Sequence, residues 1–98
     1  MDLTPYAEPL AELCRRWKIC KLSLFGSLAR GEGRPDSDID LLVEYEADAD
    51  WSLFDTAQLR EELASLFGRP VDLVREPDIT NPYRRASIRR DLRLIYAA

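Results

Sequence analysis

Apolar residues follow two different periods along this chain, and each change of period marks a new element. Leu3, Tyr6, Leu10, Leu13, Cys14 and Trp17 recur at steps of three and four, which predicts an amphipathic helix over the first 17 residues. Ile19 to Phe25 (ICKLSLF) is rich in strand formers and stops at Gly26, so it reads as a first strand. Residues 27–37 contain Gly31, Gly33 and Pro35 and leave room for at most a short helical turn and a loop. Asp38 to Tyr45 (DIDLLVEY) reads as a second strand.

Ser52, followed three positions later by Asp55, has the form of a capping box. Leu59, Leu63, Leu66 and Phe67 mark one face of the helix it opens, and Gly68 with Pro70 stops that helix. Val71 to Val74 (VDLV) is a short third strand. Asn81-Pro82, an N-cap with proline in the first helical position, opens a helix that runs through about Asp91. Leu92 to Tyr96 either prolongs that helix or forms a final strand, and the strand is preferred. The resulting order implies an α/β (α+β) fold, a mixed sheet flanked by helices. No repeat or linker interrupts it, and 98 residues make a single domain, 1–98.

Composition narrows the chemistry more than the fold. The chain is 46% hydrophobic and 33% charged, as expected of a soluble globular protein. No apolar run approaches the roughly 20 residues that span a bilayer. The opening Met-Asp-Leu-Thr-Pro lacks a basic stretch followed by an apolar one, so no signal peptide is expected and a cytoplasmic location is. Cys14 and Cys20 are then expected as small buried thiols rather than a disulfide. The absence of histidine excludes a histidine base and, with only two cysteines, the usual ligands of structural zinc. Catalysis has to run on carboxylates, hydroxyls, lysine or arginine, and hard metal ions. A net charge of −4 argues against broad binding to nucleic acid. The charge is uneven: Glu44, Glu46, Asp48 and Asp50 form an acidic stretch, and Arg84, Arg85, Arg89, Arg90 and Arg93 crowd the C-terminal end. These are either two solvated surfaces or a docking face for an oppositely charged protein.

The chemically informative stretch is Gly26 to Asp40, GSLARGEGRPDSDID. Asp38 and Asp40 lie two apart on the expected strand, so both side chains share a face, while Ile39, Leu41 and Val43 anchor the opposite face. Two carboxylates held this close repel unless a cation joins them or one takes a proton. Mg²⁺ is the suitable cation, because it prefers one or two carboxylates together with substrate phosphate oxygens. A strand that ends in Gly26-Ser27 and turns into a helix presents backbone N–H groups and a hydroxyl to a phosphate. Arg30, one turn further on, is placed to reach a phosphate oxygen.

Ten residues, 28–37, separate Gly-Ser from Asp-Ile-Asp. That spacing resembles the signature of the DNA polymerase β-like nucleotidyltransferase superfamily, and GSLARGEGRPDSDIDLLV is similar more narrowly to the minimal nucleotidyltransferases, the MNT proteins. The resemblance covers essentially the whole chain. It implies a third carboxylate on a neighbouring strand, and Asp72 in RPVDLV matches that setting. It further implies ATP as substrate and two Mg²⁺ ions held by Asp38, Asp40 and Asp72. Gly26 and Ser27 would hold the β- and γ-phosphates, and Asp72 would take the acceptor proton.

The resemblance also implies an acceptor. A chain of this size has no room for the acceptor-binding domains of larger relatives, so a partner either brings the acceptor or is itself the acceptor. MNT proteins are antitoxins paired with HEPN RNase toxins, and they move AMP onto a tyrosine of the toxin. A hetero-oligomer with such a toxin is expected, without direct nucleic-acid or membrane binding. The competing expectations are an antitoxin that masks its toxin sterically, and an adenylyltransferase that acts on a small molecule with a second subunit.

Overall fold

The computed structural model describes residues 2–98. A single 3-10 turn, Thr4–Tyr6, leads into α1 (Ala7–Arg16). The helix therefore starts later than the apolar period suggests, since Pro5 occupies the first positions of that turn. Then follow β1 (Ile19–Phe25), the four-residue α2 (Gly26–Ala29), β2 (Ile39–Tyr45), α3 (Leu53–Phe67), β3 (Val71–Arg75), α4 (Pro82–Asp91) and β4 (Arg93–Ala97). The final apolar run is thus a strand, as preferred from the sequence; Leu92, with φ −57° and ψ 128°, turns the chain out of the helix.

The strands form one sheet in the order β3-β2-β1-β4. β1 pairs antiparallel with both β2 and β4, and β2 pairs parallel with β3, so the sheet is mixed as expected. The parallel pair requires a crossover, and α3 supplies it. α1 and α3 bury one face of the sheet. Leu10, Leu13 and Cys14 from α1 and Leu59, Leu63 and Phe67 from α3 close over Leu22, Leu24, Ile39, Leu41 and Val43. Edge-to-face contacts of Tyr6 with Phe67 and of Trp17 with Trp51, with centroids 5.1 and 5.0 Å apart, seal its two ends.

The other face carries a smaller cluster of Phe25, Ile79 and Ile88, backed by Leu42 and Val74. Ile79 is missing from the sequence reading. It follows a 3-10 turn at Glu76–Asp78 and is 2% exposed, a single apolar residue with no period to reveal it. Both cysteines are free thiols; Cys14 is buried and Cys20 only half-buried. Burial pushes the Cys14 thiol up to about 12.

The capping box on α3 is complete. Ser52 Oγ accepts from the Asp55 amide at 3.1 Å, and Asp55 Oδ2 accepts from the Ser52 amide at 2.9 Å. Gly68, in the left-handed conformation with φ 68°, ends the helix. Ser52→Ala removes half of that reciprocal cap and is expected to lower stability by about 1 kcal/mol, read as a lower urea midpoint with an unchanged slope.

Candidate active site

The site is built at the ends of β1 and β2. β2 alternates strictly: Ile39, Leu41 and Val43 face the core, and the side chains between them face the other way. Asp40 therefore points away from the core with Leu42. Register does the rest. Asp40 pairs with Phe25 across the antiparallel ladder and with Asp72 across the parallel one. Residues opposite one another in a ladder project to the same face, so Asp40 and Asp72 stand side by side. Asp38 lies one residue before β2 begins, a correction to the strand expected from position 38. The ladder first takes hold at Ile39, whose amide donates to the Pro70 carbonyl at 2.9 Å.

Asp40 is half-buried, whereas Asp38 and Asp72 are exposed. Burial raises the Asp40 carboxyl above its ordinary value, and the neighbouring charges of Asp72 and then Asp38 add to the rise; Arg84 and Arg30 oppose it. None of the three acids takes part in an ion pair among the described residues. Nor do any three acidic or cysteine side chains among the described residues converge as a ready-made metal cage. What the fold offers is an open edge of oxygen donors that a ligand's own oxygens would have to complete. Mg²⁺ binds in that way, retaining waters and phosphate oxygens beside one or two carboxylates.

Gly26 packs directly on this edge. Its φ is +77°, and a Cβ at that position would collide with Asp40 Oδ2. The turn that follows is tight, with the Ser27 carbonyl accepting from the Glu32 amide at 2.9 Å. Gly26 is thus brought against Asp40 by the step from β1 into α2, and Ser27 follows it at the start of that helix.

Arg30 is placed differently from its expected role. Its Nε donates to Glu32 at 3.0 Å and its Nη1 to Asp91 at 2.6 Å, which ties the end of α2 to the end of α4. Two of the C-terminal arginines are engaged within the fold. Arg85 donates to the Ile79 carbonyl at 2.5 Å, and Arg89 is paired with Glu76. Arg84, which the sequence offered only as part of that cluster, is the one whose charge bears on Asp40. The spacing of Arg84, Ile88 and Asp91 was the available signal, because it puts all three on one helix face. The acidic stretch is exposed, with Asp48 paired to Lys18 at 3.0 Å. Two cavities, of about 410 Å³ between α1 and α3 and about 320 Å³ beside Tyr45 and Trp51, are lined by residues other than the three acids.

Comparison with known proteins identifies the family and the fold. The family model described as a nucleotidyltransferase domain matches residues 8–95. A Methanocaldococcus jannaschii relative, provisionally named a protein adenylyltransferase, is 40% identical over 79% of this chain and 77% of its own length. The protein adenylyltransferase MntA of Thermococcus cleftensis is 36% identical over 80% of this chain and 77% of its own. A solved structure provisionally described as a minimal nucleotidyltransferase superposes with a TM-score of 0.74 at 38% identity, covering 95% of each chain. A structure of a tri-AMPylated Shewanella oneidensis HEPN toxin in complex with MNT antitoxin gives a TM-score of 0.69 over 99% of this chain and 74% of that one. Its 21% identity speaks to the fold alone. Sheet order, the Gly-Ser turn and the paired aspartates all sit within the matched region, and this chain belongs to the nucleotidyltransferase domain family.

Proposed function

We propose that this chain is a cytoplasmic antitoxin that transfers AMP from ATP to a tyrosine hydroxyl of a HEPN-type toxin and so neutralises it. The observation that carries the reading is the in-register pairing of Asp40 with Asp72, flanked by Asp38, with no cation among the described residues paired to any of the three. Like charges concentrated in this way raise the free energy of the folded chain. A nucleotidyltransferase has a use for them. The naming of two relatives as protein adenylyltransferases supports a protein acceptor, and the toxin–antitoxin complex of like fold supports a HEPN partner.

Asp38 and Asp40 would hold two Mg²⁺ ions, with Asp72 completing one of the two sites. When bound, these ions supply charge compensation at the α-phosphate and lower the pKa of the acceptor hydroxyl. The protein's own groups do the remainder. Gly26 lets the backbone lie close beneath the β- and γ-phosphates, and the Ser27 hydroxyl donates to them. Arg30 steadies the end of the same loop through Glu32 and Asp91. Asp72, the exposed acid of the pair, accepts the acceptor's proton. The acceptor oxygen bonds to the α-phosphorus, the bond to the bridging oxygen breaks, and pyrophosphate leaves.

The test is the intact mass of the purified HEPN partner after incubation with this protein, ATP and Mg²⁺. The expected result is a rise by whole AMP units on a tyrosine, with toxin RNase activity still absent after the antitoxin is removed. An unmodified partner that regains activity on separation would establish steric masking instead.

A further inference from the structure

We propose that Arg84 grips the phosphate chain of the nucleotide from the side of the site opposite the aspartates, an inference that rests on the nucleotidyl-transfer reading. α4 lies over the second face of the sheet by a single stripe of residues. Ile88, in its middle, is 4% exposed and packs with Phe25 and Ile79. Phe25 is the ladder partner of Asp40, so this contact fixes the helix beside the carboxylates. One turn towards the C-terminus, Asp91 receives Arg30. One turn towards the N-terminus, on the same face, is Arg84.

The backbone of Arg84 is pinned while its guanidinium is not. Asn81 Oδ1 accepts from the amides of Tyr83 at 2.9 Å and Arg84 at 3.3 Å, which sets the first turn of the helix. The side chain of Arg84 is exposed and joins no ion pair among the described residues. Its neighbours are occupied: Arg85 by a carbonyl, Arg89 by Glu76, and Arg30 by two carboxylates. Arg84 thus sits one turn from the helix contact with Phe25, the residue paired with Asp40, and makes no salt bridge with that acid. An unpaired cation on the helix packed beside the acids suits a ligand that is anionic towards the arginine and carries cations towards the acids. A metal-bound triphosphate is that ligand. A guanidinium matches its oxygens with a planar fork of donors, which a lysine lacks. On this assignment Arg30 is a positioning residue, holding α4 and hence Arg84 through Asp91.

The test is calorimetric titration of the full chain, with Mg²⁺, using α,β-methylene-ATP and separately AMP. For Arg84→Ala the expected result is about 10- to 100-fold weaker binding of the triphosphate analogue. AMP binding should change far less, and Arg84→Lys should recover only part of the loss. Because the side chain has no ion-pair or hydrogen-bond partner among the described residues, the thermal midpoint of both variants should match the wild type. Unchanged analogue binding by Arg84→Ala overturns the assignment. An equal loss for AMP and for the analogue also overturns it, since that would mark a general field effect. A wild-type chain that binds neither nucleotide overturns the nucleotidyl-transfer reading itself, and the Arg84 assignment with it.

Discussion

Asp40→Asn is expected to reduce nucleotidyl transfer by about 10³-fold or more, while leaving the domain folded and slightly more stable at neutral pH. The catalytic loss follows from position. Asp40 is paired with Asp72 and is the one member of the set held by both ladders. Removing its charge weakens the metal site and with it the main compensation for charge developing on the phosphate. The stability gain follows from the direction of its pKa. Burial and two like charges raise the folded-state value above the ordinary 3.8. The folded chain therefore binds that proton more tightly than the unfolded chain does. Stability from this group is fully present below the unfolded value near 3.8 and is lost as pH rises through the higher folded value. Above both values the ionised carboxylate is a net liability, which asparagine removes. The variant's advantage in urea denaturation should thus be present at pH 7 and vanish in acid below about 3.8. Full activity with Mg²⁺, or a variant that unfolds, would refute the metal-site reading.

Gly26→Ala should be nearly as damaging to activity, and unlike the aspartate variant it should also destabilise. Two separate penalties apply. A φ of +77° strains any residue with a Cβ by about 1–2 kcal/mol. The new methyl also collides with Asp40 Oδ2, so either the turn or the carboxylate has to move. Overpacking of this kind adds about 1–3 kcal/mol. Gly31→Ala provides the control. Gly31 has a nearly identical φ of +75°, but nothing lies within 4 Å of its would-be Cβ. It should show the backbone penalty alone and keep most of its activity. If the two variants lost activity equally, close approach of Gly26 to Asp40 would not be what the turn is for.

The order of elements could be read from the chain because each one is written locally. The Leu59, Leu63 and Phe67 stripe, the Ser52 and Asp55 cap and the Asn81-Pro82 start all act within a few residues, and all appear where the sequence puts them. Boundaries were less legible where neighbours decide them. Asp38 falls outside β2 because the ladder starts at the contact of Ile39 with Pro70, more than thirty residues away. Ile79, a lone apolar residue after a turn, became core only because Phe25 and Ile88 meet it from elsewhere in the chain.

For the site, the sequence by itself determined which residues are chemically capable: a Gly-Ser turn, two aspartates two positions apart, a third on a short strand, and no histidine to compete with them. Only the tertiary structure decided who stands next to whom. Parallel register set Asp72 beside Asp40, and the step from β1 to α2 brought Gly26 against the same carboxylate. The packing of α4 divided the arginines, giving Arg30 to Glu32 and Asp91 and leaving Arg84 without an ion pair among the described residues. The reason is one of range. Propensity, capping and alternation are properties of neighbours in sequence, whereas charge and contact act through space, and no local pattern records which distant segment will arrive there.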